Sequence, residues 1–241
     1  MSELKNKIAV VTGASSGIGK AIALGLAKKG VATFLLGRNL KALQQVAEIA
    51  RQTSARSQFF AVDLASVQEI RKIADSLKKE AACIDILIHS AGIIAFGPHE
   101  SASLEDFDRQ FQINVRAPYA LTQCLLPLVK DCRGQVVFIN SSAGLNAGAK
   151  VGQYAATKFA LKAIADSFRL EINSDGVRVL SVYPGRTASP MQAAIFKMEG
   201  REYHPELLMQ PEDVADVILN ALTIPRSAEV TEISVRPFIK P

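Results

Sequence analysis

Apolar residues along this chain fall into short, nearly continuous runs, separated by longer stretches in which they recur every three or four positions. The runs are "KIAVVT" (7–12), "VATFLLG" (31–37), "SQFFAV" (57–62), "IDILIH" (84–89), "GQVVFIN" (134–140), "VRVLSVY" (177–183) and "EVTEISV" (229–235). Unbroken runs of this length, rich in Val and Ile, predict strands covered on both faces. The intervening stretches predict helices near 17–29, 39–52, 66–81, 103–130, 152–174 and 211–223. Asn39 and Ser66 stand where amino-terminal caps belong, and Gly30 and Gly176 follow carboxyl-terminal ends. Strand–helix alternation predicts an α/β, doubly wound parallel sheet of about seven strands with helices on both faces, because parallel neighbours require right-handed crossovers. No linker, repeat or low-complexity tract divides residues 1–241, which predicts a single domain. Residues 184–210 are the least regular stretch and follow a strand's carboxyl end, where open sheets bind ligands. They predict a substrate lid, with a purely structural loop as the alternative.

Composition changes this picture little. Apolar residues make up 49% and charged residues 21% of the chain, which is globular rather than disordered composition. The net charge is +5, but Lys and Arg are scattered, with no basic run and no aromatic interleaving, which argues against nucleic acid as a partner. No apolar run approaches the roughly 18 residues of a membrane span, and "MSELKNKIAVV" does not read as a secretory signal. Cys83, Cys124 and Cys132 are odd in number and lack C-x-x-C spacing, which predicts reduced thiols and a cytoplasmic protein. His89, His99 and His204 are dispersed, so no metal site is expected.

Two kinds of chemistry compete in "VVTGASSGIG" (10–19). Gly13, Gly17 and Gly19 after a strand and at the start of a helix would allow a tight turn, close approach by a pyrophosphate and an anion at the helix amino terminus. The same residues spell G-x-S-x-G around Ser15, the elbow that presents a nucleophile in serine hydrolases. An elbow on the first strand has no earlier strand–helix loop to supply an oxyanion donor.

Further along, "INSSAGLNAGAKVGQYAATKFALKAIA" places Tyr154 and Lys158 four apart on one helical face. Ser141 ends the strand before that helix. In order, "TGASSGIG", "DL" (63–64), "SAG" (90–92), Asn114, Ser141, "YAATK" (154–158) and "PG" (184–185) resemble the motifs of the short-chain dehydrogenase/reductase family over essentially the whole chain. The resemblance implies a Rossmann-type fold, and it favours the cofactor cradle over the hydrolase. A dinucleotide-binding redox sensor without catalysis is the other alternative, although such a protein would have no need of a proton donor.

The resemblance also implies roles. Tyr154 would be the acid/base. A lysine ammonium about 5 Å away, at an effective dielectric near 20, would stabilise its phenolate by roughly 3 kcal/mol, or about two pKa units. Lys158 would also hold the nicotinamide ribose, Ser141 would bond the substrate oxygen, and Asn114 would hold a water linking Lys158 to solvent. Gly13, Ser15, Ser16, Gly17, Ile18 and Gly19 would cradle the phosphates. Asp63 and Leu64 would meet the adenine, Ala91 and Gly92 would flank the cofactor, and Pro184, Gly185, Thr187 and Ser189 would form the nicotinamide pocket. The second strand ends in Gly37-Arg38 where an NAD-favouring chain commonly has an acid. A guanidinium suits a 2′-phosphate, so the expected cofactor is NADP(H) rather than NAD(H). His89, where the family often has Asn, is expected to be structural. The expected reaction is hydride transfer between nicotinamide and a small carbonyl or alcohol substrate. By the same resemblance the expected assembly is a homodimer or homotetramer.

Overall fold

In a computed structural model, residues 4–53 and 56–239 are described. Seven strands form one parallel sheet: β1 (Ile8–Thr12), β2 (Ala32–Gly37), β3 (Ser57–Ala61), β4 (Ile86–His89), β5 (Gln135–Ile139), β6 (Arg178–Pro184) and β7 (Glu232–Val235). Their order across the sheet is β3-β2-β1-β4-β5-β6-β7. The order reverses between β1 and β4, so a crevice opens beyond the carboxyl ends of these two strands.

The helices are α1 (Gly17–Lys28), α2 (Leu40–Arg51), α3 (Val67–Glu80), α4 (Leu104–Phe111), α5 (Ala117–Asp131), α6 (Gly152–Ile172), α7 (Pro190–Met198) and α8 (Pro211–Ala221). Adjacent strand residues face opposite sides, which explains the unbroken apolar runs. Val11, Ile88 and Val137 pack with Ile22 and Leu26 of α1, Leu43 of α2 and Ile218 of α8. Val10, Leu87 and Val136 pack with Ile70 of α3, Leu125 of α5 and Leu161 of α6 on the other face.

The predicted punctuation holds. Asn39 and Ser66 accept from the backbone N–H groups of Ala42 and Glu69, and Gly30 and Gly176 adopt φ of +80° and +78°. Three features differ from the sequence expectations. The helix expected over 103–130 is interrupted by a π-helical turn at Gln112–Arg116, which separates α4 from α5 around Asn114. The stretch 184–210 contains α7, begun by Pro190 at its first position with Ser189 Oγ accepting from Gln192 N. The expectation of three reduced thiols is also corrected, because Cys83 and Cys132 form a disulfide across a Cα separation of 5.7 Å. Cys83 precedes β4 and Cys132 follows α5 just before β5. Strand pairing brings together two cysteines 49 residues apart, and spacing along the chain carries no signal of it. These sulfurs and the Asp85 carboxylate form the one cluster of potential metal-binding groups among the described residues. The sulfurs bond each other, and Asp85 accepts from Lys7 Nζ (2.7 Å) and Ile8 N (2.9 Å).

Candidate active site

A cleft of about 770 Å³ runs along the carboxyl ends of the strands, from the end of β2 to α7. The glycine turn forms its floor. Gly13 has φ of +66°, and a Cβ there would lie 2.8 Å from the Ala91 backbone. Gly17 has φ of +53°, and a Cβ on Gly19 would collide with the Gly13 carbonyl. Only glycine lets β1, α1 and the loop after β4 converge here. Ala14 N donates to Leu36 O, and Thr12 Oγ1 accepts from both Ser90 N and Ala91 N, which fixes the turn between β2 and the segment after β4.

Ser16, at the cap position of α1, makes no side-chain cap, whereas the caps of α2, α3, α4 and α7 all accept from their own first turns. The first N–H groups of α1 therefore face the cleft without a side-chain acceptor, a setting that an anion completes. Ser15 and Ile18 line the same floor. Arg38 and Asn39 line the cleft beyond β2, and Asp63 and Leu64 line it beyond β3. Arg38 is exposed and has no hydrogen-bond or ion-pair partner among the described residues.

At the other end, Tyr154 and Lys158 share one face of α6 and are both buried. Lys158 Nζ lies 5.6 Å from the centre of the Tyr154 ring and donates to Ile139 O at 3.0 Å. Ser141 begins the turn after β5, and its hydroxyl, which accepts from Ala143 N at 3.1 Å, lies close enough to the Tyr154 phenol to lower its pKa. Burial pushes Tyr154 up to about 12, a rise that the Ser141 bond partly offsets. Burial also pulls Lys158 down to about 8. By the sequence resemblance, the ammonium is expected to make the phenol more acidic. In the protein alone, loss of hydration outweighs that attraction, because both charged forms are disfavoured in the same dry corner.

Asn114 does not line the cleft. Its Oδ1 accepts from Ile93 N (2.9 Å), and its Nδ2 donates to Ile93 O (2.9 Å) and Thr157 Oγ1 (3.1 Å). The amide thus clamps the loop after β4 to α6, with both its hydrogens on protein partners. Gly92 lies beside Asn114 and Lys158, and Pro184, Gly185, Thr187 and Ser189 line the same cleft. His89 lies beneath the site. Its Nε2 is 2.7 Å from Thr122 Oγ1, its ring stacks on Phe138, and burial pulls its pKa down to about 3. Among the described residues no histidine lines the cleft beside Ser15, so the hydrolase reading lacks its base.

Sequence reasoning missed several contributors. Asn140 accepts from Ser141 N and donates to Lys158 O, which joins the serine to the lysine's own backbone. Its position directly before Ser141 is the only signal the sequence offers. Gln110 accepts from Ala95 N and donates to Gln153, holding the wall that carries Ile94 and Phe96. From the stretch 184–210, Arg186, Gln192, Ile195 and Glu199 also line the cleft, and Arg186 grips both oxygens of Glu199 at 2.6 and 3.1 Å.

Among known proteins, the chain matches the short chain dehydrogenase family over residues 7–200. An oxidoreductase of Staphylococcus epidermidis is 32% identical over 238 residues, covering 98% of this chain and 100% of that one. The crystal structure of a short chain dehydrogenase from Salmonella enterica serovar Typhi is 32% identical and superposes with a TM-score of 0.90, over 97% of this chain and 98% of that one. A short chain dehydrogenase from Escherichia coli complexed with NADPH is 31% identical, with a TM-score of 0.89 over the same shares. These matches extend over most of the sequence and nearly all of the fold, and the protein belongs to the short-chain dehydrogenase/reductase family of oxidoreductases.

Proposed function

We propose that the protein is an NADP(H)-dependent oxidoreductase that interconverts a carbonyl and an alcohol, with Tyr154 as acid/base. The observation that carries this reading is the single cleft joining an uncapped helix amino terminus, at the glycine turn, to the buried Ser141–Tyr154–Lys158 group. The chain's residues fit the cofactor. Gly13 leaves room that a Cβ would fill, α1 offers free N–H groups, and Arg38 stands unpaired where a 2′-phosphate needs a cation. Relatives solved with NADPH or NADP support the choice.

When bound, the reduced nicotinamide supplies the hydride. Tyr154 holds a proton at Oη and delivers it to the substrate oxygen as hydride reaches the carbon. Ser141 Oγ donates to that oxygen while negative charge gathers on it. Lys158 stabilises the phenolate left behind. In oxidation the phenolate takes the proton back. The full chain works as one unit, with the α7 region as the lid over the reacting centre. Exposed Tyr119, Phe159 and Leu170 on the outer sides of α5 and α6 favour pairing of subunits through these helices.

The test is a panel of aldehydes, ketones and sugars assayed by NADPH absorbance, with Tyr154→Phe alongside. Turnover of at least one carbonyl, abolished in the variant while NADPH still binds, is the expected result. A Tyr154→Phe protein with full turnover would refute the acid/base assignment.

A further inference from the structure

Gln192 carries an unusual side chain. It is 7% exposed and lines the cleft, yet its Nε2 has no hydrogen-bond partner. The only other such atom among the described residues is Ser181 Oγ, inside β6 and away from the cleft. A buried donor left unpaired costs about 1–3 kcal/mol, and native proteins retain few of them.

The backbone that carries this side chain is held in place. Gln192 N is held by Ser189 Oγ (3.1 Å), and Ser189 N donates to Tyr203 Oη (3.1 Å). The Tyr203 ring meets Phe196 edge-on, and Phe196 lies under the Arg186 guanidinium, which grips Glu199 just past the end of α7. Both ends of α7 are therefore anchored. Its first turn also lies against the phosphate end of the cleft, since a Cβ on Gly17 would come within 3.3 Å of the Ser189 Cβ. The unpaired amide thus sits one helical turn from the serine that abuts the glycine turn.

We propose that Gln192 is a cofactor-binding residue whose amide donates to an acceptor oxygen on the nicotinamide half of the bound dinucleotide, from the diphosphate to the carboxamide. This rests on the NADP(H) reading above. Cofactor binding then satisfies the orphaned donor and ties α7 down. The protein bears an unmet hydrogen bond until its coenzyme arrives, so part of the affinity is built into the lid.

Gln192→Leu tests this without any substrate. Removing the donor should leave the melting temperature of the cofactor-free protein unchanged or raised, while NADPH affinity, read from its fluorescence on binding, weakens about tenfold, equivalent to one hydrogen bond. Gln192→Met serves the same purpose if the Leu variant does not fold. Gln192→Glu, which presents an acceptor where a donor is needed, should weaken binding further. A parallel titration with 2′-phospho-ADP-ribose, which lacks nicotinamide, identifies the partner. An equal loss with both ligands assigns the diphosphate or the ribose attached to it, and a loss with NADPH alone assigns the carboxamide. The proposal is overturned if the apolar variants bind NADPH as the wild type does, or if stability and affinity fall together. Failure of the wild type itself to bind NADPH would overturn the cofactor reading as well, a result distinct from either of these.

Discussion

The Lys158 ammonium stands 5.6 Å from the centre of the Tyr154 ring and is bonded to the Ile139 carbonyl, with no carboxylate paired to it among the described residues. Burial holds the lysine near 8 in the folded protein, against an ordinary value of 10.5. Because the folded value is the lower one, the cost of the buried charge is fully present below about pH 8 and is relieved as pH rises toward 10.5. Lys158→Met should therefore stabilise the cofactor-free protein at pH 7 by about 1–3 kcal/mol, after allowance for the unpaired Ile139 carbonyl. The advantage should shrink between pH 8 and 10.5. The same change should abolish or severely reduce turnover. Urea melts across this pH range, run beside activity assays, would decide it. A variant that is both less stable and fully active contradicts the finding.

Much of this was legible in the chain because local signals and tertiary demands agree. Val10 and Val11 read as one apolar run because each faces a different core, and Asn39 and Ser66 cap the helices they precede. Tyr154 and Lys158 were visible because helical spacing alone puts them on one face. The interruption at Gln112–Arg116 was not, since a π turn preserves the helical pattern on either side of it. The commitment of Asn114 to Ile93 and Thr157 depends on a loop's path, and the Cys83–Cys132 contact depends on strand order. Neither leaves a periodic trace. Helix α7 was hidden because the Gly-Arg-Thr-Ala-Ser stretch before Pro190, and the proline itself, read as loop, although Ser189-Pro190 is a helix start in miniature.

His89 makes the acid limb of stability predictable. Its ring is neutral in the fold, pulled down to about 3 by burial against Phe138 and Thr122, whereas in the unfolded chain it titrates near 6.5. As pH falls below 6.5 the unfolded chain gains the proton first, so stability declines until about pH 3. The contribution to the slope is at most about 1.4 kcal/mol per pH unit. His89→Asn should flatten this limb, whatever it does to stability at pH 7. Unfolding free energies at pH 7, 6, 5 and 4 would show parallel curves if His89 were instead solvated.

The disulfide should matter to stability and not to catalysis. Cys83 and Cys132 precede β4 and β5, at the end of the sheet opposite the cleft, and the closed loop spans 49 residues. Loop-closure entropy puts its stabilising effect at up to about 4 kcal/mol. Reductant should lower the melting temperature while leaving kcat unchanged at temperatures where the protein remains folded. Thiol titration of denatured, unreduced protein should detect Cys124 alone. Three reactive thiols would show that the sulfurs do not bond.

On the proposed reading, cofactor choice rests on Gly37 and Arg38. Arg38 is exposed and has no partner among the described residues, and Gly37 is a glycine without steric need, since a Cβ there would meet only Leu43 side-chain carbons at 3.5 Å and more. A side chain could therefore start from position 37 without a clash at its Cβ. Arg38→Leu should lower kcat/KM for NADPH by about 10–100-fold, the value of charge-assisted bonds to one phosphate, while scarcely changing that for NADH. Adding Gly37→Asp should repel the 2′-phosphate and offer an acceptor to a 2′-hydroxyl, turning the preference toward NADH. Because Arg38 is exposed, the wild-type preference should also narrow as salt rises from 0.05 to about 0.5 M. Steady-state assays with both coenzymes decide each point, and equal efficiency with NADH and NADPH in the wild type would remove Arg38 from the site.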